Sequence, residues 1–280
     1  MITLGIDIGG SSVKTAALQD DRVLSTAQSA AYTRPNTNQL IEAIRKALPG
    51  DVKAERIGLC LPGLYDARQR KITASVNVPG LVGPTLDELI SKAMGTAAPP
   101  LKIFTDALAA AHDILHLKKL EGRVLVISLG TGIGAAVLDE GRPLHVDGNS
   151  PGHLGQMDVT IEGHAAIGPD GGAGSLEGYM GAGALIKKYG DVAGALKSFK
   201  GFEPPLRALA RAIRIAHAIY RPQHVVLAGG IGIRMGHLAE PMHALVNTHL
   251  SSIARAGWTL TCGDSDFHAA RGAARLASAD

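Results

Sequence analysis

Cysteine is scarce. The 280-residue chain has two, Cys60 and Cys262, far apart in sequence. That excludes a disulfide framework and a cysteine-rich zinc module. Both sit among apolar neighbours, where buried free thiols are expected. Excess charge is lacking as well. Lys and Arg number 28 against 25 Asp and Glu, a net charge of +3. A protein that binds nucleic acid through a dense basic face needs more, so no nucleic-acid partner is expected. No charge-free run exceeds 15 residues, and the most apolar of that length, Val124 to Leu138, is interrupted by glycines. A membrane span needs about 20 apolar residues, and none is expected here. No stretch is repetitive or purely polar, which excludes collagen, linker and disordered classes. The opening Met1-Ile2-Thr3-Leu4-Gly5-Ile6-Asp7 has no basic start, so the expectation is no signal peptide and a cytoplasmic protein. Neither a G-x-x-x-x-G-K-[ST] loop nor a G-x-G-x-x-G fingerprint occurs, leaving P-loop and dinucleotide-binding readings without support.

Glycine is what the chain has in excess. It supplies 35 of 280 residues, about one in eight against roughly 7% in average usage. Three of these glycine sites directly follow apolar runs that read as strands: Gly9-Gly10 after Ile2–Ile8, Gly130-Thr131-Gly132 after Val124–Leu129, and Gly229-Gly230 after His224–Ala228. The first two lead into returning strands, Val13–Leu18 and Ile133–Leu138. Next come the hairpins Gln19-Asp20-Asp21 and Asp139-Glu140-Gly141, and further strands over Arg22–Gln28 and Arg142–Val146. An offset of 121 places Gly9 on Gly130, Asp7 on Ser128 and Ala17 on Leu138. The order of strand, glycine turn, strand and hairpin is the same in both, which predicts two related lobes. Helices are expected over Asn38–Leu48, Thr85–Met94, Asp106 to about Leu117, Leu206–Tyr220, Pro241–Ala254 and Phe267–Ala277. A glycine-rich, strand-poor stretch covers Asp147–Gly183.

Glycine turns after strands let backbone N–H groups approach a phosphate with no Cβ in the way. Ser11, Ser12, Lys14 and Thr131 add hydroxyl and ammonium donors. Any one turn alone reads as an ordinary tight hairpin; the three together, with paired lobes, favour a nucleotide. Asp7 lies between Ile6 and Ile8, where a carboxylate needs a partner, and Mg²⁺ with phosphate is one. The alternative is a strand-end Asp bonded to its own turn. Asp106, between a strand and a helix, is either a helix N-cap or a general base taking a hydroxyl proton during phosphoryl transfer. His112 and His116 flank Asp113 and Ile114 in His-Asp-Ile-Leu-His, but with no third ligand they read as satisfied helix residues rather than a metal pair. Arg68, Arg70 and Lys71 read as a solvated hairpin edge.

In order along nearly the whole chain, these segments resemble the ROK family (repressor, open reading frame, kinase) of the actin-like ATPase superfamily. Gly5-Ile6-Asp7-Ile8-Gly9-Gly10-Ser11-Ser12-Val13-Lys14 resembles its first phosphate loop and Leu129-Gly130-Thr131-Gly132-Ile133-Gly134 its second. Leu61-Pro62-Gly63 and Asn77-Val78-Pro79-Gly80 are similar to its sugar-side loops. Thr105-Asp106-Ala107-Leu108-Ala109-Ala110 corresponds to its catalytic Asn-Asp-Ala-Asn-Ala-Ala. Val226-Leu227-Ala228-Gly229-Gly230 resembles the adenosine segment, and Gly272-Ala273-Ala274 a closing helix motif. The departures fall on sugar and zinc positions. The family's Gly-Glu-Ile-Gly-His reads Gly152-His153-Leu154-Gly155-Gln156 here. Its Cys-x-Cys-Gly-x-x-Gly-Cys-x-Glu reads Gly168-Pro169-Asp170-Gly171-Gly172-Ala173-Gly174-Ser175-Leu176-Glu177. Gln156 replaces the zinc-binding His, and Gly168, Asp170 and Ser175 replace the three Cys, so no structural zinc is expected. Thr105 for Asn, His153 for Glu and Gln156 for His alter the groups facing a sugar, which puts ordinary glucokinase specificity in question.

The resemblance implies an α/β fold of two ribonuclease H-like lobes with the active site in the cleft between them. The expected division is 1–104, joined by the closing helix 266–280, against 105–265, with Asp7 and Asp106 coming from opposite halves. It implies an ATP- and Mg²⁺-dependent kinase that phosphorylates a hydroxyl of a hexose or hexose derivative. Asp106 is the expected base, and Asp7 the Mg²⁺ ligand, through water. Gly9, Gly10, Ser11, Ser12, Lys14, Gly130, Thr131, Gly132, Gly229 and Gly230 are expected on the nucleotide. Pro62, Gly63, Asn77, Thr105, His153, Gln156 and Glu177 are expected on the sugar. A homodimer is implied by the resemblance alone. The family's repressor branch carries a DNA-binding helix-turn-helix before the first phosphate loop; here that loop begins at residue 5, so a repressor is not expected. Polyphosphate as donor and a non-catalytic sugar or nucleotide sensor are the rival readings.

Overall fold

The computed structural model describes residues 1–50, 52–145, 153–161, 163, 165–169 and 171–279. Two compact units emerge, Met1–Asp113 with Phe267–Asp280, and Ile114–Asp266.

The first unit opens with three antiparallel strands, β1 (Ile2–Ile8), β2 (Val13–Gln19) and β3 (Arg22–Gln28), followed by helix α1 (Thr37–Ala47). Strand β4 (Arg56–Cys60), the hairpin β5 (Leu64–Asp66) and β6 (Lys71–Ala74), helix α2 (Leu86–Met94) and strand β7 (Leu101–Phe104) follow, and helix α3 (Asp106–Lys118) begins directly after. The sheet order is β3-β2-β1-β4-β7, with β4 and β7 parallel to β1. Helices α1 and α2 start on capping boxes, Asn36 with Gln39 and Thr85 with Glu88, which satisfy backbone donors that a helix start otherwise leaves unpaired. Their apolar residues, Leu40, Ile44, Leu89 and Ile90 among them, are buried in one core with Leu4, Ile6, Ile8, Ile57 and Leu59. The expected Arg68–Lys71 hairpin edge is the β5–β6 turn, where Arg70 makes a two-pronged bond to Asp87.

The second unit repeats the plan. Strands β8 (Arg123–Leu129), β9 (Ile133–Asp139) and β10 (Arg142–Pro143) lead through helices α4 (Leu176–Met180), α5 (Ala182–Tyr189), α6 (Val192–Ser198) and α7 (Pro204–Tyr220). Then come β11 (His224–Ala228), the short helices α8 (Gly229–Gly232), α9 (Ala239–Asn247) and α10 (Ser252–Arg255), and β12 (Thr259–Cys262). The order β10-β9-β8-β11-β12 has the same directions as the first sheet. The expected constant offset holds only as far as the glycine turns. Leu4 pairs with Ala17 and Leu125 with Val137, so beyond the turn the repeat runs at 120 and Ala17 matches Val137 rather than Leu138. The second turn is one residue shorter. Strand β10 stops at Pro143; Val146, the expected end of that strand, lies outside the described residues, as do Gly152 and Asp170. The helix expected over Pro241–Ala254 breaks between Asn247 and Ser252.

Helix α11 (His268–Ser278) returns to the first unit and packs on β1, β2 and β4. The sheet admits it because Gly5 and Gly58 are register partners. A Cβ on Gly5 would stand 1.7 Å from the Ala270 carbonyl oxygen, and one on Gly58 2.0 Å from that of Ala273. On its other side Gly272 meets the Ala109 carbonyl at 1.7 Å from its Cβ position, so α3 also lies backbone-close. The boundary between units falls inside α3. Asp106 therefore belongs with Asp7 in the first unit, not to the opposite half.

Candidate active site

In the first unit Asp7 is the register partner of Cys60, and Cys60 of Phe104. The three form a row at the carboxyl ends of the parallel strands β1, β4 and β7, the edge where α/β sheets bind ligands. Asp106 follows Phe104 by two residues and opens α3. The helix cap is supplied by Thr105, whose Oγ1 accepts from Leu108 N at 3.3 Å, while Asp106 Oδ1 accepts from Ala107 N at 2.8 Å. Burial, and next the charge of Asp106, lift the Asp7 carboxyl from 3.8 to about 7, with Lys14 pulling the other way. Lys14 lies directly across from Asp7 in the β1–β2 register. Burial and then the same two carboxylates hold the Cys60 thiol well above its usual range, so it is an inert thiol rather than a nucleophile.

The first glycine turn closes on itself, Gly9 N donating to Ser12 O at 3.0 Å. Ser12 is buried, its Oγ accepting from Gln28 Nε2 at 3.0 Å, while Ser11 is exposed. A residue with no motif to flag it, Tyr32, reaches the same turn: its Oη donates to Gly9 O at 2.6 Å and its N–H to Ser11 O at 2.9 Å. Pro62 and Gly63 leave the end of β4. Gly63 adopts φ +117°, and a Cβ there would stand 2.2 Å from Ala74 O, so only glycine fits. Asn77 is half-buried in the loop after β6.

In the second unit Gly130 N donates to Gly132 O at 3.0 Å, and Gly130 O accepts from Ala182 N at 2.9 Å. Glu177 on α4 ties two candidate segments together. Its Oε1 accepts from Ile133 N at 3.2 Å, and its Oε2 accepts from Gln156 Nε2 at 3.0 Å. A Cβ on Gly132 would stand 2.7 Å from Glu177 Oε1, so a side chain there would push the Glu177 carboxylate off its place. His153 is exposed, and its carbonyl accepts from Gln156 N at 2.9 Å. Gly229, at φ +75°, has its Cβ position 2.5 Å from Leu129 O, beside the second turn. Gly229 and Gly230 start the helix α8 rather than forming a hairpin turn. Gly130, Thr131, Gly132, Gln156, Glu177 and Gly229 are thus one constellation, and Asp7, Gly9 to Ser12, Lys14, Thr105 and Asp106 another.

The residues at the family's zinc positions do not fit zinc. Gln156, Gly168 and Ser175 offer neither thiolate nor imidazole. Backbone pairs hold the segment instead: Val159 N to Gly174 O at 2.8 Å, Gly174 N to Ala166 O at 2.7 Å, and Gly168 N to Gly172 O at 2.8 Å. Ser175 is buried and caps α4, accepting from Gly178 N at 3.1 Å. Among the described residues no group of three or more His, Cys, Asp and Glu could hold a metal ion, and no helix is long and apolar enough to cross a membrane. The His112–His116 helix face uses its acid structurally, since Asp113 is fully buried and bonded to His268, Arg271 and Arg275.

A family model described as ROK family matches residues 3–280. The chain belongs to the ROK family. The N-acetylmannosamine kinase of Escherichia coli O139:H28 (strain E24377A / ETEC) is 29% identical over 279 residues, covering 90% of this chain and 89% of that one. A ROK hexokinase from Thermus thermophilus superposes with a TM-score of 0.73 at 24% identity, covering 99% of this chain and 98% of that one. A ROK family glucokinase from Streptomyces griseus, solved with glucose and AMPPNP, has a TM-score of 0.75 at 18% identity, with 99% of each chain covered. The fold is that of the ROK kinases in the actin-like ATPase class. This ROK protein is a carbohydrate kinase, a phosphotransferase with a sugar hydroxyl as acceptor.

Proposed function

We propose that this ROK kinase transfers the γ-phosphoryl group of ATP, with Mg²⁺, to a hydroxyl of an N-acetylated hexosamine of the N-acetylmannosamine type. The observation that carries the reading is the Asp7–Asp106 pair, close enough for one charge to raise the other's pKa, at the carboxyl edge of the sheet beside a glycine turn. Two carboxylates in mutual repulsion, with a single lysine opposite, fit a divalent cation. Asp7 would hold Mg²⁺ through water, and the ion when bound would neutralise charge on the β- and γ-phosphates.

The Asp106 carboxylate takes the proton of the attacking hydroxyl as the new oxygen–phosphorus bond forms and the bond to ADP breaks. Gly9 and Gly130 close their turns with their own N–H groups, and the backbone N–H groups of Gly10, Ser11, Ser12, Thr131 and Gly132, with the Thr131 hydroxyl and Lys14, take up charge on the phosphates. Gly229 and Gly230 receive the adenosine. Pro62, Gly63, Asn77, Thr105, His153 and Gln156 meet the sugar. Glu177, with both oxygens already accepting bonds, fixes the Gln156 amide so that its own oxygen faces the substrate. An imidazole at His153, where the family has an acceptor carboxylate, alters which hydroxyls or substituents are welcome, and can donate to the carbonyl of an acetamido group. The sequence relatives named N-acetylmannosamine kinase support this choice of sugar.

The test is a screen of hexoses, amino sugars and their N-acetyl derivatives for ADP release, with polyphosphate in parallel. The expected result is the highest kcat/KM for N-acetylmannosamine with ATP, and a loss of about 10²–10⁴-fold in turnover for Asp106→Asn with sugar binding retained. Tight sugar binding with no phosphorylation from either donor overturns the reading in favour of a sensor. Near-normal turnover in Asp106→Asn removes that residue as the base.

A further inference from the structure

We propose that Tyr32 is a positioning residue for the nucleotide phosphates, orienting two backbone donors of the first glycine turn while touching no substrate itself; this rests on the reading of that turn as phosphate-binding. Tyr32 holds two carbonyls of the turn at once, Gly9 O through its hydroxyl at 2.6 Å and Ser11 O through its own N–H at 2.9 Å. A trans peptide unit is planar, with its C=O and N–H pointing in opposite directions, and no cis peptide occurs among the described residues. Drawing Gly9 O toward Tyr32 therefore turns the Gly10 N–H away from it, and drawing Ser11 O toward Tyr32 does the same to the Ser12 N–H. The third carbonyl, Ser12 O, is taken by Gly9 N at 3.0 Å. Three of the turn's carbonyl oxygens, those of Gly9, Ser11 and Ser12, which would repel a polyanion, are thus occupied, and the donors are set before any ligand arrives, which removes an ordering cost from binding.

The second unit offers an internal comparison. Gly130 is the counterpart of Gly9, and its carbonyl is held in the same sense by Ala182 N at 2.9 Å. There the clamp is a backbone N–H that no substitution short of proline removes. In the first unit it is a phenol that one oxygen's deletion abolishes. The asymmetry makes the role measurable.

Tyr32→Phe removes the hydroxyl and keeps the ring. Steady-state kinetics of the wild type and the variant, with ATP and the best sugar from the screen, are expected to show KM for ATP raised about tenfold. kcat and KM for the sugar should stay within about twofold. Hydrogen–deuterium exchange of a peptide spanning residues 9–12, without nucleotide, is expected to quicken. A merely structural tyrosine would instead lower the active fraction, and with it kcat, at unchanged KM for ATP; that result overturns the proposal. So does quickened exchange with a wild-type KM for ATP, and so does unchanged exchange. A wild-type protein that phosphorylates no sugar defeats the functional reading on its own, and the exchange measurement then still judges whether Tyr32 orders the turn.

Discussion

Asp7 shows how a neighbourhood sets the behaviour of one side chain. In sequence it is a carboxylate between two isoleucines. In the fold it is buried within reach of the Asp106 charge, and the two raise it to about 7 despite Lys14. A carboxyl whose folded value lies above its unfolded value binds more protons folded than unfolded throughout the interval between them. Stability therefore falls as pH rises from about 4 to about 7, and levels off above. Asp7→Asn removes that fall. The variant should match wild type near pH 3.5 and exceed it by on the order of 2–4 kcal/mol at pH 8, read from denaturant melts at the two pH values. An equal offset at both would show that Asp7 is not held as described. A stabilising change at the expense of function is expected where charge is kept in place for chemistry. Asp7 and Asp106 could be marked from the sequence because each interrupts or ends an apolar strand. Tyr32 could not, because no residue type or spacing announces that a phenol folds back 23 positions onto a turn.

The glycine-rich elements have two different tasks, which the sequence shows only as abundance. Gly5 and Gly58 stand side by side in β1 and β4 so that α11 can lie on the sheet at backbone contact. Gly5→Ala would put a methyl 1.7 Å from the Ala270 carbonyl, which no rotamer relieves. It should cost at least about 3 kcal/mol, or roughly 10 °C in Tm. Gly183→Ala is the control. It lies in α5 with nothing near its Cβ position, and should be neutral or stabilising by about 0.5–1 kcal/mol. Calorimetry on the two variants decides it, and similar melting temperatures would remove the close-packing account. The strands and the repeat were legible because a buried parallel strand is a continuous apolar run. The one-residue difference between the two turns was not, because register beyond a turn is set by pairing and by the turn's length.

At the scale of the whole molecule, the chain's two ends build one unit. Asp113 on α3, with no solvent exposure, bonds His268 Nδ1 at 2.7 Å, Arg271 Nε at 3.0 Å and Arg275 Nε at 3.1 Å, all on α11. Burial alone would raise its carboxyl; the bond from His268, the Arg271 charge and the bond from Arg275 outweigh it and hold it below the usual range. Such a group stabilises the fold above its unfolded value and loses that contribution as pH falls through the lower folded one. Asp113→Ala takes the carboxylate from Arg271 and His268 and leaves Arg275 with Asp21 alone among the described residues, and should destabilise the protein by about 3–5 kcal/mol at pH 7. The deficit should shrink below pH 4 in denaturant melts, and a deficit independent of pH would overturn the ion-pair account. By itself the sequence determined the class, the doubled strand–turn–strand plan and the chemical residue types, since these follow from local periodicity, composition and motifs read in order. Only the tertiary structure decided that the dividing line falls within α3, that both acids share one sheet edge, and that Asp113 fastens α3 to α11. Those outcomes depend on which distant segments a backbone can approach, and on the charges that approach leaves facing one another.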